Sequence, residues 1–330
     1  MDRKRKYVFI VCGILCLVAA LLSISLGAAR LSLLELWRAI LGGPNDTAGR
    51  IFWYSRLPRT CACILSGAAL AAAGCILQSL LGNKLASPGI IGVNAGAGLA
   101  VTLCCAFGSI SGWTISIASF AGAMLAALTV MLLARKTGAS RTTVILAGVA
   151  MNSILHALRD AVTSLIPNTA SLSGEFRVGG FSSVVTARLI PAGILIVLAL
   201  AVALTLANDL DVLTLGEDTA QSLGMTVKRI RLLFLLLAAL LAGAAVSFTG
   251  LLGFVGLLVP HISRRLVGGE SRHLLPMSIL TGSGFVTVCD VIARLLFAPH
   301  ELYVGILMAI IGGPFFLFLL LKRRGGHSHA

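Results

Sequence analysis

The chain has 330 residues, of which 58% are hydrophobic and 12% are charged, and its mean hydropathy is +0.99. A water-soluble domain carries about 25% charged residues, so the composition excludes an ordinary soluble globule. The net charge of +14 does not indicate nucleic-acid binding, because the basic residues are scattered among short loops and form no basic face with interleaved aromatic residues. The composition indicates an integral membrane protein.

Apolar stretches that are long enough to cross a bilayer recur along the whole chain. The first follows a basic cluster at 3–6 and is longer than the apolar region of a signal peptide, so we interpret it as a retained span. The predicted fold is an all-α integral membrane protein with a single transmembrane domain over residues 1–330. Its ten predicted helices are 7–27, 60–81, 90–107, 113–134, 142–166, 189–208, 232–248, 250–264, 276–298 and 302–321.

The longest apolar run, 232–263, is too long for one straight span. At 1.5 Å per residue it would extend about 48 Å, whereas the hydrocarbon core of a bilayer is about 30 Å thick. Basic residues flank the run at 228–231 and at 264–265. Because both basic clusters favour the cytoplasm, we expect the chain to reverse direction between residues 247 and 253.

The basic residues also predict the orientation in the membrane. With the N-terminus inside, every lysine and most arginines lie in inner loops, so both termini are predicted to be cytoplasmic. The predicted outer loop 28–59 is an exception, since it carries five arginines and an amphipathic stretch at 31–41. Docking of an acidic partner explains this surplus, and so do contacts with lipid headgroups and nearby carboxylates.

The largest inner loop, 209–231, has apolar residues at helical spacing, and Gly216 and Gly224 divide it into two short amphipathic helices. Such helices either lie on lipid or dock into a groove of a partner. The acidic residues of this loop disfavour contact with anionic lipid, so we favour a protein partner.

The sequence contains no Walker A loop, no His-Glu-x-x-His motif and no Gly-x-Ser-x-Gly motif. The eight cysteines lie in or beside apolar segments without the spacing of a zinc site. The chain is therefore predicted not to be an enzyme, and to bind neither a metal nor a cofactor of its own.

Few polar residues lie inside the predicted spans, and each is a candidate for function. Asp290 and Arg294 are four residues apart on one helix, which favours a structural ion pair; the alternative is that Arg294 reaches the outer mouth. Arg159 and Asp160 are interpreted in the same way. Asn152 is interpreted as an interhelical hydrogen-bonding residue or as a residue that lines a pathway.

Small residues are dense at 66–74, at 92–98 and at 312–314, a pattern that permits close helix packing. A proton-driven or sodium-driven secondary transporter would need a titratable group without a partner deep in a span. Among the residues of the spans, Asp290 is the candidate for that role. An intramembrane enzyme is disfavoured, because no nucleophile and base are recognisable.

Five stretches together resemble one transporter family, the permease subunits of iron-chelate (siderophore or haem) and cobalamin ABC importers, which have a ten-helix type II import fold. They are Arg56-Leu-Pro-Arg59 with the segment Gly67 to Gln78; Gly82-Asn-Lys-Leu-Ala-Ser-Pro88 with the segment Gly92 to Ala97; the segment Leu215 to Gly224; Gly253-Phe-Val-Gly-Leu-Leu-Val-Pro-His261; and the segment Asp290 to Phe316. Two positions depart from the family pattern: Lys84 stands where proline is usual, and Phe176 to Phe181 stands where a tryptophan-rich segment is common.

The resemblance implies three functional regions. Coupling to the ATPase would involve Leu213, Leu215, Gly216, Glu217, Ala220, Leu223 and Gly224. A cytoplasmic gate and pathway would involve Asn83, Leu85, Ser140, Arg141, Thr142 and Asn152. Docking of the binding protein would involve Arg56, Arg59 and Arg294.

The resemblance also implies the partners. They are two cytoplasmic ABC ATPases that carry ATP and Mg²⁺, a second permease that is identical or different, an extracytoplasmic binding protein and the surrounding lipid. The location implied is the bacterial cytoplasmic (inner) membrane. The expected function is uptake of an iron chelate, with cobalamin as the alternative substrate and a gradient-driven secondary transporter as the alternative of another class.

Overall fold

The computed structural model describes residues 3–27, 33–136, 141–296 and 300–324, and within these ranges it contains helices and no β-strand. The helices in chain order are α1 (Arg3–Ser25), α2 (Leu33–Gly42), α3 (Thr47–Ile51), α4 (Leu57–Leu80), α5 (Val93–Ala106), α6 (Gly112–Lys136), α7 (Arg141–Leu165), α8 (Asn168–Leu172), α9 (Gly174–Val178), α10 (Thr186–Thr205), α11 (Ala207–Thr214), α12 (Glu217–Ser222), α13 (Val227–Thr249), α14 (Val255–Val267), α15 (Ser271–Leu295) and α16 (Val304–Arg324). The all-α prediction is confirmed, and a helix represents each of the ten predicted spans.

Seven of the described helices are long and apolar enough to cross a membrane: α1, the helix containing α4, α6, α7, α10, α13 and α15. Helices α5 and α14 are shorter, with 14 and 13 residues. The bundle has two ends. The basic end carries the segments 81–87, 206–226 and 268–270, and the opposite end carries 43–46, 107–111, 166–185 and 300–303.

Helices α4 and α15 form the centre of the bundle. Gly67 of α4 faces Gly282 of α15, and a Cβ atom at either glycine would overlap the backbone carbonyl of the other. Gly96 of α5 and Gly122 of α6 meet in the same way. The small residues at 66–74 and 92–98 therefore pack backbone against backbone, as the sequence predicts.

The second span begins thirteen positions earlier than predicted, at Thr47, and continues without interruption to Leu80 as a 34-residue helix. Asp46 caps its start by accepting a hydrogen bond from the backbone N–H of Gly49 (2.6 Å). A π-helical turn at Phe52–Arg56 precedes Pro58, and the Leu57 N–H bonds to the Phe52 carbonyl. This wide turn lets the helix pass a proline that supplies no N–H. The latter part of the predicted outer loop 28–59 is therefore helix.

The chain re-enters the bundle after α4 instead of staying at the basic end. A 3₁₀ turn at Pro88–Ile91 precedes α5, and its backbone lies against the middle of α7. There the Asn152 side-chain amide donates to the Gly89 carbonyl at 2.8 Å. Gly148 is in contact with the Ile90 carbonyl. Helix α5 thus begins inside the bundle, which explains its short length.

The long apolar run reverses direction at a second break, as predicted. Helix α13 ends at Thr249 and α14 begins at Val255, so residues 250–254 form a non-helical link. The segment Phe176–Gly180 secures this link: Leu251 N–H donates to Phe176 O at 2.9 Å, and Gly180 N–H donates to Thr249 O at 2.8 Å. The break thereby satisfies backbone groups that would otherwise be unpaired at membrane depth.

Candidate functional site

The two breaks meet inside the bundle. Gly256, in the first turn of α14, packs against Gly74 of α4, and a Cβ atom there would lie 2.9 Å from Cδ of Pro88. Irregular backbone at membrane depth is stable only where protein buries it or where it lines an aqueous cavity. In transporters, substrate pathways are commonly built from such interrupted helices. The meeting of the breaks therefore marks the candidate pathway.

Helix α7 presents polar side chains outward along much of its length, interspersed with exposed apolar residues such as Leu146 and Val149. Thr142, Ser153, His156 and Asp160 are all exposed. By contrast, the outward face of α1 carries large apolar side chains, as expected for a surface in contact with lipid. An exposed polar face on a membrane helix is costly against lipid. The α7 face is therefore better suited to water or to a protein partner than to acyl chains.

The predicted gate residues lie on two separate elements. Asn83 is in the loop after α4, where its side-chain oxygen accepts a hydrogen bond from Leu85 N–H at 3.0 Å. Thr142 is exposed in the first turn of α7. Among the described residues no hydrogen bond joins Thr142 to Asn83 or Leu85. Ser140 lies outside the described residues, and Arg141 is described only as the first residue of α7.

Asn152 connects α7 to the first break through its hydrogen bond to Gly89, which confirms the interhelical interpretation. Its half-buried side chain lies beside the exposed polar face of α7. A role in lining the pathway stays a prediction.

The signature segment 253–261 packs against α16. Phe254 has a left-handed backbone (φ 64°), the only such non-glycine residue among those described. Its ring fills the space next to Gly312, where a Cβ atom would overlap it. Further along, about two turns down α14 and one turn down α16, His261 and Phe315 pack edge to face with ring centroids 5.9 Å apart. Two aromatic contacts thus hold the start of α14 against the middle of α16.

Gln78 is a functional candidate that the sequence did not single out by itself. Its buried amide donates to the carbonyls of Gly256 (3.2 Å) and Leu257 (3.3 Å), and its oxygen accepts from Arg264 (3.2 Å). It therefore links the end of α4 to both the start and the end of α14. Its position at the end of the Gly67 to Gln78 motif is the signal that could have identified it.

A buried ion cluster lies near the opposite end of the bundle. Asp290, which is fully buried, contacts Arg294 Nε at 3.0 Å and Arg59 at 3.0 Å. Arg59 also contacts Glu301 at 2.8 Å. The predicted ion pair between Asp290 and Arg294 is confirmed, and it is extended by Arg59 from α4. The predicted pair of Arg159 and Asp160 is confirmed as well, at 2.8 Å.

The three predicted docking arginines are largely internal. Arg294 is 5% exposed and donates to backbone and hydroxyl oxygens of α1 and the link after it. Arg56 is 4% exposed and donates to the carbonyls of Ile24 and Ser25 (2.7 Å each), at the C-terminal end of α1. Arg59 reaches the surface only at its contact with Glu301. These side chains hold α1, α4 and α15 together, and their contact with a binding protein stays a prediction.

The predicted coupling residues divide into an exposed set and a buried set. Leu215 and Leu223 are 62% and 64% exposed at the basic end. Leu213 and Ala220 are buried in the core. Gly216 and Gly224, with φ of 110° and 82°, start α12 and follow it. The two exposed leucines are therefore the apolar groups available to a partner, while the buried pair fastens the loop to the bundle.

Two polar contacts attach the coupling loop to spanning helices. The Asp211 carboxylate accepts hydrogen bonds from the Ser271 N–H (2.8 and 3.0 Å), at the start of α15. Glu217 forms a 2.8 Å salt bridge with Arg231, in the first two turns of α13. These contacts join the predicted coupling loop to α13, which ends at the second break, and to α15, which carries Asp290 of the ion cluster.

A third contact ties α1 to α15 at the basic end. Arg5 donates to Glu270 at 2.9 Å, and the His273 ring is 3.0 Å from the same carboxylate. The Arg5 guanidinium and His273 lower the pKa of Glu270 below its ordinary value.

Among the described residues, no group of three or more His, Cys, Asp or Glu side chains is arranged to hold a metal ion.

An all-helical bundle with two intramembrane breaks, exposed polar side chains along one span and exposed leucines in a loop at the basic end has the features of a membrane transport protein. Residues 15–322 match the sequence profile of the FecCD transport family, and the chain belongs to this family.

Individual proteins show the same similarity. The chain is 38% identical to the iron(3+)-hydroxamate import system permease protein FhuB of Bacillus subtilis, over 95% of the chain and 82% of that protein. It is 34% identical to the hemin transport system permease protein HmuU of Yersinia pestis, over 96% and 95%. A solved structure, the inward-facing conformation of a metal-chelate type ABC transporter, superposes with a TM-score of 0.84 at 28% identity, over 96% of this chain and 99% of that one.

Proposed function

We propose that this chain is the permease subunit of an ABC importer that takes up an iron chelate, either a siderophore or haem. The observation that carries the proposal is the exposed polar face of α7 beside the two meeting breaks, in a chain of the FecCD transport family. Relatives named for import of iron(3+)-hydroxamate and hemin support the substrate class. Cobalamin is the alternative substrate within the same mechanism.

The substrate pathway lies between two permease subunits, and each contributes its α7 face. Alternating access rearranges the helices around the two breaks, so that the pathway opens to one side at a time. Asn83, Leu85 and the start of α7 form the gate at the basic end. The whole chain acts as one permease domain, and its own residues perform no covalent chemistry.

The basic end faces the cytoplasm, so both termini lie on the cytoplasmic side of a bacterial inner membrane. This orientation follows from the basic residues of its loops. Two ATPase subunits bind ATP and Mg²⁺ and dock on the exposed leucines of the coupling loop. A binding protein delivers the chelate at the opposite end, where Glu301 and the edge of Arg59 are the charged groups of the ion cluster that reach the surface.

The gradient-driven alternative needs a deep titratable group without a partner. Asp290 is in contact with two arginines, and Asp160 is paired with Arg159. Among the described residues of the spanning helices, no carboxylate is therefore left for proton or sodium coupling. This pattern favours the importer over the secondary transporter.

The test is co-purification of the chain with its partner ATPase, followed by uptake of a labelled ferric hydroxamate, haem or cobalamin into vesicles with ATP inside. The double variant Leu215→Glu, Leu223→Glu should lose the ATPase and uptake. The control Leu165→Glu, Leu172→Glu places the same two charges on leucines at the opposite end, which are 82% and 50% exposed, and should retain the ATPase. Uptake that persists without ATP and collapses with the proton gradient would overturn the proposal.

A further inference from the structure

A basic pocket opens between α6, α7 and α13 at the basic end of the bundle. Its volume is about 280 Å³. Arg135 from the last turn of α6, and Lys228 and Arg229 from the first turn of α13, form its rim, and all three side chains are exposed. Met131, Val144 and Leu235 are among the apolar residues that form its wall. The pocket thus combines a cationic rim with an apolar interior.

The rim cations have no carboxylate partner among the described residues. The fourth basic residue of the pocket, Arg231, forms a 2.8 Å salt bridge with Glu217. This nearby carboxylate is therefore already paired. Three exposed positive charges therefore converge on one opening without neutralisation. This arrangement is complementary to an anion.

The position of the pocket determines which kind of anion fits. The rim lies at the ends of three spanning helices, where lipid headgroups are found. Met131 and Leu235 lie one to two turns further into the bundle, which is about 5–10 Å deeper at 1.5 Å per residue. A headgroup phosphate at the rim and an acyl chain against the apolar wall satisfy both parts of the pocket. Basic pockets between spanning helices at this level bind anionic lipid headgroups.

We propose that this pocket is a binding site for an anionic phospholipid of the adjacent leaflet. The phosphate contacts Arg135, Lys228 and Arg229, and one acyl chain lies along the apolar wall. Because α13 also carries Arg231, the anchor of the coupling loop, a bound lipid would stabilise the helix start on which that loop depends. The lipid would thereby support the coupling loop.

The test is native mass spectrometry of the full-length protein in detergent, titrated with dioleoyl phosphatidylglycerol or dioleoyl phosphatidylcholine. We expect one phosphatidylglycerol to be retained in preference to phosphatidylcholine. In the triple variant Arg135→Gln, Lys228→Gln, Arg229→Gln, the affinity for phosphatidylglycerol should fall roughly 100-fold, since each basic residue contributes roughly fivefold.

The matched control is Arg3→Gln, Lys4→Gln, Lys6→Gln, which removes the same charge from exposed positions at the same end of the bundle. It should retain the lipid. The charge-preserving variant Arg135→Lys, Arg229→Lys should retain it as well. If the triple variant fails to fold, the single variants Arg135→Gln and Arg229→Gln should each weaken binding by roughly fivefold.

Four results would overturn the proposal. The first is an unchanged lipid affinity in the triple variant, and the second is an equal loss of lipid affinity in the control variant. The third is displacement of the lipid by millimolar glycerol phosphate. The fourth is that the triple variant loses the partner ATPase but retains the lipid. The third would indicate a site for a free anion, and the fourth a contact with the ATPase. Thermal unfolding in phosphatidylcholine alone separates lipid binding from folding, because there the melting temperature of the triple variant should equal that of the wild type.

Discussion

Asp290 holds one negative charge between the guanidinium groups of Arg59 and Arg294. The sequence spacing predicts the contact with Arg294, because residues four apart share a helix face. The contact with Arg59 joins residues 231 positions apart, so no local pattern indicates it. For the same reason Arg56 and Arg59, which the sequence places in the outer loop 28–59, turn out to be largely buried. Their charge alone predicts that these arginines are exposed to solvent, whereas the packing of α1, α4 and α15 buries them.

The first prediction concerns this cluster. Asp290→Asn should lower the free energy of unfolding by about 3–5 kcal/mol, because it leaves two largely buried cations without their shared anion. Thermal unfolding of the detergent-purified protein measures the change. Asp160→Asn is the matched control: the Asp160 side chain is 65% exposed, so loss of its pair with Arg159 should destabilise the protein far less than Asp290→Asn does. Equal shifts in the two variants would contradict the structural role of Asp290.

At the scale of helices, the contact between Phe254 and Gly312 positions α14 against α16. Gly312→Ala would place a methyl group inside the Phe254 ring and should destabilise the protein by about 1–3 kcal/mol. Gly313→Ala is the control, since nothing lies within 4 Å of its added Cβ atom. Thermal unfolding compares the two.

A double variant tests the cause of that effect. Phe254→Gly removes the ring and suits the left-handed backbone at this position. Combined with Gly312→Ala, it should abolish the additional destabilisation that the alanine produces in the wild-type background. If the alanine is equally harmful without the ring, the destabilisation has a different origin.

The contacts of the coupling loop give a prediction for transmission. Asp211→Ala removes the side chain that caps α15 and should weaken the start of that helix by about 1 kcal/mol. The exposed leucines are unchanged, so the ATPase should still co-purify while the rate of uptake per ATP hydrolysed falls by about fivefold. Asp218→Asn, an exposed neighbour on α12, should change neither quantity. Loss of the ATPase in the Asp211 variant would show that the cap supports docking instead of transmission.

The sequence predicts the order of helices better than their ends. Hydropathy and flanking charge indicate ten apolar segments and the reversal near residue 250. A described helix lies at each of the ten positions, seven of these helices are long and apolar enough to cross a membrane, and the reversal is confirmed. The extension of the second span to Thr47 escapes prediction, because Pro58 signals a helix start unless the preceding π turn is known. The re-entry at 88–91 escapes as well, since the hydrogen bond from Asn152 that stabilises it comes from a distant helix.

For the whole molecule, the polar face of α7 predicts where water enters. Ser153→Cys should react with a charged, membrane-impermeant thiol reagent in vesicles containing the full transporter. Leu15→Cys, on the outward face of α1 and also near the middle of its helix, should stay unreacted, because acyl chains cover it. Mass spectrometry of the labelled protein, with the wild type as background for the native cysteines, measures both. Equal labelling would mean that α7 does not line an aqueous path.

The glycine contacts between α4 and α15 have a mechanical consequence. Helices that meet through interlocking side chains can slide by exchanging rotamers, whereas Gly67 and Gly282 leave no such layer between their backbones. We therefore expect α4 and α15 to move as one rigid unit during transport. Distances measured from α4 and α15 to other helices would therefore distinguish the helices that move during transport from those that stay in place.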